Sequence, residues 1–304
     1  MAPPVDYQSQ LLLMGSCFAE NMGEKYHYFK FQTMVNPFGI IFNPVSLHNL
    51  IDRAVQLQYF TVDDIFCHNN LWHCFEIHSQ FSTSNPDTLL ESLNKNLLLL
   101  REQLQKATHI MLTLGTAWIY RHQETDPVVA NCHKVPQRDF VKQLLQIEIV
   151  EQHLDTIRQI IKKINPGITL VITVSPVRHS KDGFVENNRS KAHLLAALHR
   201  IVDYYSDTYY FPSYEIIMDE LRDYRFYTQD MLHPNTIAVD YIWERFKETC
   251  IATSCYNTMK EVDDLQKALR HRSFNPESPS HLQFLTQVRQ RIEILQEQYS
   301  FMTF

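Results

Sequence analysis

The residues of this chain best suited to covalent chemistry are a serine near its start and an aspartate–histidine pair near residue 230. Ser16 follows QLLLMG at positions 10–15, a short apolar run that ends in glycine. Such a run is typical of a buried parallel strand. A serine at the turn from a strand into a helix is exposed beside helical N–H groups that carry positive potential. Ser16 is therefore a candidate nucleophile.

A serine hydroxyl is a weak nucleophile at neutral pH, so its use in hydrolysis also requires a base that is oriented by an acid. The chain has 15 histidines, so the presence of a histidine decides nothing. The spacing of Asp230 and His233 is more selective, because two side chains three residues apart in a loop can meet at one point. Pro234 stiffens this loop ahead of a helix that starts at Asn235. Two interpretations stay open: an acid–base pair, or a pair that only caps the helix.

Apolar runs alternate with longer amphipathic segments, and this alternation predicts the elements that position Ser16 and the Asp–His pair. Strands alternating with helices predict an α/β protein, a three-layer α/β/α sandwich with a mostly parallel sheet. The predicted strands span 10–15, 109–115, 168–176 and 208–211, and the predicted helices span 19–31, 44–58, 86–106, 137–165, 187–206 and 235–250.

Two regions lie outside this alternation. Residues 65–81 predict a β-hairpin that turns near Asn69 and Asn70. After residue 250 the composition becomes charged and rich in glutamine, and it predicts helices at 258–271 and 279–298 without a further strand. We therefore expect an α/β domain over 1–250, with the hairpin as an insertion, and a helical extension over 251–304 packed on it.

The carboxyl ends of the strands are where ligands bind in open α/β sheets. Besides Ser16, the residues that follow the predicted strands there are Gly115 and Thr116, and then 175–179. Arg178 and His179 in this last segment are candidates for contact with a polar or anionic acyl acceptor, such as a sugar or a phosphate. A solvated loop is the alternative.

Composition and charge exclude several classes of protein. The chain has 304 residues, of which 44% are hydrophobic and 20% charged, so disordered and fibrous classes are excluded. The net charge is −6 and positive residues do not cluster, so we expect neither a nucleic-acid nor a membrane partner. No apolar run is long enough for a membrane span and no signal peptide opens the chain. We expect a cytoplasmic protein, with a leader trimmed before Met-Ala-Pro-Pro left open.

Cysteines and histidines at 67–78 resemble a metal cluster, but they lack a tight pair such as C-x-x-C. In a strand through 72–78, Cys74 and His78 would share one face and His73 would point to the other. We therefore expect no metal and no cofactor, with zinc as the minor alternative. Cys17, beside Ser16, is a rival nucleophile of lower standing.

The sequence GSCFA at 15–19 resembles the motif that names the GSCFA family, a branch of the SGNH/GDSL hydrolase-like superfamily. This resemblance implies an α/β/α sandwich and acyl-ester chemistry. It also implies that Ser16 is the nucleophile, His233 the general base and Asp230 the carboxylate that orients it. The resemblance continues in order through NPFGIIFNP (36–44), TLGTAWIY (113–120), VANCHKVPQ (129–137), TVSPVRHSKDGFVENNRSK (173–191) and RFYTQDMLHPN (225–235).

The resemblance also implies donors for the oxyanion of a tetrahedral intermediate. The Ser16 backbone N–H is the first, and Gly39 matches the glycine block that supplies the second. The third block of the superfamily is typically Gly-x-Asn, whereas this chain has Ala117 at the last position. Thr116, Trp118 and Asn131 are the substitutes that we consider. This departure bears on hydrolytic efficiency more than on the fold.

Together these features predict a serine esterase that hydrolyses acyl esters, acetyl esters first among them, of carbohydrate-like substrates. The partner is then a small-molecule or glycan acyl ester. An O-acyltransferase would use the same residues, because it differs in how well water is excluded from the acyl-enzyme. A protein with the SGNH fold that binds without catalysis is the third interpretation, and Ala117 is the residue that favours it.

Overall fold

The computed structural model of the protein describes residues 2–124 and 126–304. Within these ranges the chain forms one parallel sheet, two smaller antiparallel sheets and helices on both faces of the parallel sheet. The strands are β1 (Gln10–Gly15), β2 (Gln32–Val35), β3 (Phe66–His68), β4 (Leu71–His73), β5 (His109–Leu114), β6 (Trp118–His122), β7 (Val128–Val129), β8 (Phe140–Leu144), β9 (Thr169–Val174) and β10 (Thr208–Tyr210).

The helices occupy most of the sequence between these strands. None of the helices in the described ranges is both long and apolar enough to cross a membrane. The helices are α1 (Cys17–Tyr28), α2 (Pro44–Gln56), α3 (Pro86–Lys106), α4 (Ile147–Ile164), α5 (Phe184–Tyr204), the single turn α6 (Ser213–Glu215), α7 (Thr236–Cys250), α8 (Tyr256–Arg270) and α9 (Pro279–Gln298).

The main sheet has the order β10-β9-β5-β1-β2, and all of its neighbouring strands are parallel. The three central strands β1, β5 and β9 are buried almost throughout, as expected for a sheet covered on both faces. The chain runs from β1 outward to β2 and then crosses to the other side of β1 to form β5. The strand order therefore reverses between β1 and β5, and a crevice forms there at the carboxyl ends of the strands.

Strand β1 divides the core into two layers. Leu12 and Met14 face one hydrophobic cluster, which α2, α3, α4 and α5 complete, whereas Leu11 and Leu13 face the other. The second cluster is completed by α1, α7, α8 and α9. The predicted three-layer α/β/α sandwich with additional C-terminal helices is confirmed.

The C-terminal helices pack directly on the first helix. The Tyr28 hydroxyl, at the end of α1, donates to an Asp263 carboxylate oxygen of α8 at 2.7 Å. The Gln266 side-chain amide donates to the Tyr28 carbonyl at 3.2 Å. Residues 256–298 thus belong to the layer that contains α1, while the division of the chain at residue 250 stays a prediction.

The described residues include four strands that the sequence does not predict, β2, β6, β7 and β8. The helix predicted over 137–165 begins only at Ile147, and Phe140–Leu144 forms β8, which pairs with β6 in a three-stranded antiparallel sheet. Burial alternates along β8, which is the period of a half-exposed strand, but the segment runs directly into a strongly amphipathic helix. The edge strand β2 lies where the sequence predicts no strand, because none of its residues is fully buried.

The hairpin forms over residues 66–73, and its turn residues Asn69 and Asn70 have φ angles of 49° and 61°. Asparagine tolerates this left-handed conformation, which the favoured two-residue hairpin turn requires. The strand proposed through residues 72–78 is wrong, because β4 ends at His73.

Replacing Gly15 by alanine tests the closest approach in the sheet. Gly15 has a φ of +141°, and a Cβ there would lie 2.2 Å from the Thr113 carbonyl oxygen of β5. We expect Gly15→Ala to lower the free energy of unfolding by about 3 kcal/mol or more, measured by urea denaturation.

Gly167→Ala is the matched control, because a Cβ there meets nothing within 4 Å. It should change the free energy of unfolding by less than about 1 kcal/mol. Equal, small effects of the two substitutions would contradict the close approach of β1 to β5.

Candidate active site

Ser16 lies where β1 ends and α1 begins. It is the N-cap of α1, and its Oγ accepts the Phe18 N–H at 3.2 Å, while only 4% of the residue is exposed. A capping serine that accepts this bond keeps its own hydroxyl proton for donation to a base. The positive end of the helix dipole also favours negative charge on Oγ during attack. The structure thus places Ser16 at the predicted strand-to-helix turn, but it buries the residue, whereas the sequence predicts an exposed serine.

The alternative nucleophile, Cys17, has a thiol that is harder to ionise than an ordinary one. Burial is the main cause that raises the pKa of its thiol above the ordinary value, and the nearby Glu20 carboxylate acts in the same direction. The thiolate, not the thiol, is the nucleophile, so a raised pKa leaves Cys17 less reactive at neutral pH.

The backbone around Ser16 is fixed by the loop after β2. Asn36 Oδ1 accepts the Gly15 N–H at 2.9 Å, and the Gly15 carbonyl accepts the Ile41 N–H at 3.1 Å. Asn36 itself has a φ of 42°, a left-handed conformation that asparagine tolerates. These bonds hold the end of β1 between β5 and the loop at 36–41.

Asp230 and His233 form a direct hydrogen bond. The distance from Asp230 Oδ2 to His233 Nδ1 is 2.6 Å. Asp230 Oδ1 accepts the Thr228 hydroxyl at 2.6 Å and the Leu232 and His233 N–H groups at 2.8 and 3.0 Å. These bonds, that of Thr228 foremost, hold the pKa of the Asp230 carboxyl well below its usual range. The ionised carboxylate thus orients the imidazole and leaves Nε2 for a second partner.

The alternative interpretation of this pair as a helix cap is wrong. The N-cap of α7 is Asn235, whose Oδ1 accepts the Ala238 N–H at 3.1 Å. Asp230 and His233 stand before the helix and are bonded to each other. Their side chains are 44% and 46% exposed, so the pair opens to solvent.

Two of the donors expected for an oxyanion are occupied by backbone carbonyls. The Ser16 N–H donates to the Thr113 carbonyl at 3.1 Å, and the Gly39 N–H donates to the Asn36 carbonyl at 2.8 Å. Gly39 lies in a turn that requires glycine, because its φ is +75° and a Cβ there would lie 2.4 Å from the His78 Cβ. In this arrangement neither N–H group is free for an oxyanion, which corrects the expectation for both residues.

Two of the substitutes considered for the missing asparagine, Thr116 and Trp118, are bonded elsewhere, and the Trp118 Nε1–H donates to the Glu186 carbonyl at 3.2 Å. The Thr116 hydroxyl bonds to the Ser190 hydroxyl at 2.8 Å and accepts the Trp118 N–H at 3.0 Å. Asn131 Oδ1 accepts the His133 N–H at 2.8 Å, a bond that uses the amide oxygen and not the N–H₂ group that would donate to an oxyanion. Ala117 is fully buried, and a longer side chain there would enter the core instead of reaching the site.

His179 stands at the carboxyl edge of the sheet, five residues beyond the end of β9. Its backbone N–H donates to Asn187 Oδ1 at 3.0 Å, and its ring centroid lies 5.3 Å from that of Phe42. Burial is the main cause that lowers the pKa of its imidazole to about 4, and the Lys191 and His233 charges act in the same direction. His179 is therefore neutral at pH 7.

Arg178 is joined to the loop that carries the Asp–His pair. Its Nη2 donates to the Tyr227 hydroxyl at 2.8 Å, and its guanidinium lies 4.4 Å from the centre of the Tyr227 ring. Tyr227 precedes Thr228, the residue whose hydroxyl bonds to Asp230. The structure thus brings Arg178 to the same edge of the molecule as His233.

Lys191 is the site residue that sequence reasoning missed. It is 1% exposed, and its Nζ donates to the Gly115 and Ser175 carbonyls at 2.7 Å each, which follow β5 and β9 directly. Burial lowers the pKa of its ammonium to about 7. The signal was present, because Lys191 occupies the apolar face of α5 that continues through Leu194 and Leu198 at helical spacing.

The residues of the suggested zinc cluster do not converge. His73 uses both ring nitrogens, one with the Ser82 hydroxyl at 2.7 Å and one with the His68 carbonyl at 3.1 Å. Cys67 is exposed, whereas Cys74 is buried. Within residues 2–124 and 126–304, no three histidine, cysteine or acidic side chains are arranged to hold a metal ion.

The fold and this site define a doubly wound α/β protein with a helix-capping serine and an oriented histidine at the carboxyl edge of its sheet. Two protein-family models match the sequence. The model of the GSCFA family matches residues 10–246, and the model of the C-terminal domain of GSCFA domain proteins matches residues 262–304. The chain belongs to the GSCFA family. No curated protein matches the sequence.

Lys191 gives a prediction for the pH dependence of stability. Its pKa is about 7 in the folded protein and that of an ordinary lysine in the unfolded chain. Above pH 7 the unfolded chain binds the extra proton, so stability from this group rises with pH. Between about pH 7.5 and 8.5, the wild type should gain about 1 kcal/mol relative to Lys191→Met, measured by urea denaturation.

The two proteins are compared by how steeply the free energy of unfolding changes with pH. Its absolute value is not compared, because Lys191→Met also leaves two buried carbonyls without donors and lowers stability at every pH. The histidines with lowered pKa values have finished titrating below this window. Because the Cys17 thiol interacts with the Lys191 charge, Cys17 is replaced by serine in both proteins. Parallel pH profiles of the two proteins would contradict the lowered pKa of Lys191.

Proposed function

We propose that this protein is an SGNH-type serine hydrolase that cleaves acyl esters, acetyl esters first among them, of carbohydrate-like substrates. The observation that carries the proposal is the 2.6 Å bond between Asp230 and His233, in a loop that Tyr227 joins to Arg178 beyond the carboxyl end of β9. The resemblance of the sequence blocks to the SGNH/GDSL superfamily supports the same roles for these three residues.

The proposed reaction proceeds through an acyl-enzyme. Ser16 Oγ attacks the ester carbonyl carbon while His233 Nε2 takes the hydroxyl proton, and Asp230 stabilises the imidazolium that forms. The tetrahedral intermediate collapses, the bond to the alcohol oxygen breaks, and the imidazolium gives its proton to that oxygen. Water, deprotonated by His233, then attacks the acyl-enzyme. As the bond from the acyl carbon to Ser16 Oγ breaks, the imidazolium returns the proton to Oγ, and the acid is released.

Hydrolysis is favoured over acyl transfer by the exposure of the Asp–His pair. A transferase must keep water away from the acyl-enzyme until the acceptor hydroxyl arrives. Here nearly half of the His233 side chain is exposed, so water reaches the base in the protein as it stands. The same openness suits an ester carried on a bulky sugar.

A binding protein without catalysis is the second candidate, and the oxyanion donors favour it. The Ser16 and Gly39 N–H groups are both bonded to backbone carbonyls, and Ala117 replaces the asparagine of the superfamily pattern. Loss of one oxyanion donor costs about 10²–10³ in rate, so a site without donors would be a poor catalyst. Labelling of the serine distinguishes the two candidates.

A fluorophosphonate probe should label Ser16, because it requires a serine that a neighbouring base activates. We expect labelling of the wild type on the peptide that contains Ser16, located by mass spectrometry. Labelling should be lost in Ser16→Ala and His233→Ala, and p-nitrophenyl acetate hydrolysis should fall by about 10³-fold or more in both variants.

Two controls accompany this measurement. Ser278→Ala removes the serine cap of α9 and should cost about 1 kcal/mol of stability, as Ser16→Ala does, but retain labelling. His271→Ala removes an exposed histidine elsewhere and should retain labelling too. Folded wild type that neither takes the label nor hydrolyses the ester would favour the binding protein.

Asp230→Asn tests the orientation of the base separately from the fold. The asparagine oxygen still accepts the Leu232 and His233 N–H groups, so the loop is preserved. We expect kcat for p-nitrophenyl acetate to fall by about 10³-fold or more, because the amide does not stabilise the imidazolium. A kcat within about threefold of the wild type would refute the role of Asp230.

A further inference from the structure

Arg178 is bonded to the loop that carries the proposed catalytic base, and it has no acidic partner among residues 2–124 and 126–304. Its contacts in the described structure are aromatic: the Tyr227 hydroxyl at 2.8 Å, the Tyr227 ring at 4.4 Å and the Tyr224 ring at 5.7 Å. A guanidinium has five N–H donors, and one of them is used here. The remaining donors are available to a ligand at a half-buried position.

Three other partly buried arginines of this protein are matched with carboxylates, whereas Arg101 donates to the Val55 carbonyl. Arg53 binds Glu76 and Asp64, Arg158 binds Asp207, and Arg291 binds Glu261, with N···O distances of 2.7–3.0 Å. The chain has 34 acidic against 28 basic residues, so acidic partners are abundant. None lies within ion-pair distance of Arg178 among the described residues, which leaves its charge uncompensated at the edge of the site.

The Tyr227 hydroxyl provides a second hydrogen-bond donor beside Arg178. Burial is the main cause that raises the pKa of the Tyr227 hydroxyl, so the phenol stays neutral at pH 7. Because its oxygen accepts the bond from Arg178, its own proton is available for donation. Arg178 and Tyr227 can thus present N–H and O–H donors to one anionic group, and the planar guanidinium matches the two oxygens of a carboxylate.

The position of Arg178 indicates which part of the ester it would bind. In the proposed reaction, His233 gives its proton to the oxygen of the leaving alcohol, so the alcohol lies on the imidazole side. Arg178 is bonded to the loop that carries the imidazole, through Tyr227. A group that Arg178 binds therefore belongs to the alcohol and not to the acyl chain.

We propose that Arg178, with Tyr227, binds a carboxylate on the alcohol part of the ester, so that the preferred substrates are acyl esters of acidic alcohols such as sugar acids. This inference rests on the proposed function for the ester and on the unpaired guanidinium for the carboxylate.

The test compares two esters that differ only in this charge, 4-acetoxybenzoate and its neutral methyl ester, methyl 4-acetoxybenzoate. The ratio of their kcat/KM values is measured for each variant, so that the intrinsic reactivity of the esters cancels. Arg178→Gln should lower the ratio about tenfold or more relative to the wild type, mainly through KM for the acid. Arg178→Lys should restore part of the preference, because the charge returns without the planar fork.

Arg225→Gln is the matched control, because Arg225 is an exposed arginine of the same loop, 73% exposed and paired with Asp223. It removes the same charge near the site and should leave the ratio within about twofold of the wild type. A ratio unchanged in Arg178→Gln, or lowered equally in Arg225→Gln, would overturn the assignment of the carboxylate to Arg178.

A binding measurement separates failure of this inference from failure of the proposed function. If the wild type hydrolyses neither ester, the proposed function fails, and 4-acetoxybenzoate is titrated calorimetrically into Ser16→Ala protein. Binding that weakens at least about tenfold when Arg178→Gln is added supports a carboxylate site without catalysis. Equal binding by the two proteins, or no binding by either, overturns the inference.

Discussion

The contact between the carboxyl ends of β1 and β5 is the constraint on which the site depends. Gly15 has no Cβ, and only this absence lets the chain pass against the Thr113 carbonyl. The next residue continues the contact, because the Ser16 N–H donates to that same carbonyl. The chain then turns directly into α1, so the position of the Ser16 hydroxyl is set by the sheet itself. The loop at 36–41 holds the same turn from its other side, through the bonds of Gly15 to Asn36 and Ile41.

A buried charge supports the neighbouring strand ends. Lys191 reaches from α5 to the carbonyls of Gly115 and Ser175, and thereby ties the ends of β5 and β9 together. An ammonium without a carboxylate partner is costly in the core, and its lowered pKa reflects that cost. Near neutral pH both the ammonium and the neutral amine are populated, and the neutral amine keeps enough N–H donors for both carbonyls. The strand ends are therefore held on both sides of the titration.

The sequence predicts those parts of the fold and site that depend on local pattern. The strands β1, β5 and β9 are continuous apolar runs, and the Asp–His bond follows from a three-residue spacing. In contrast, the occupied N–H groups of Ser16 and Gly39 depend on which carbonyls the fold brings opposite them, and no local pattern encodes that. Strand β8 was missed since its alternating period merges with the helix that follows. A helical projection of α5 shows Lys191 as a polar residue on an apolar face, but no catalytic motif marks it.

The helix that begins at Ser16 ends at Tyr28, and the C-terminal helices hold that far end. The Tyr28 hydroxyl and carbonyl are both bonded to α8, while Tyr26 packs edge-on against Trp243 of α7. A helix is a stiff rod, so anchoring one end restricts the direction of the other. The segment matched by the C-terminal family model thus packs on α1, which begins at Ser16. It stabilises the orientation of that helix and so the position of the serine. Changes in that distant segment can tune the site without touching any residue at its edge.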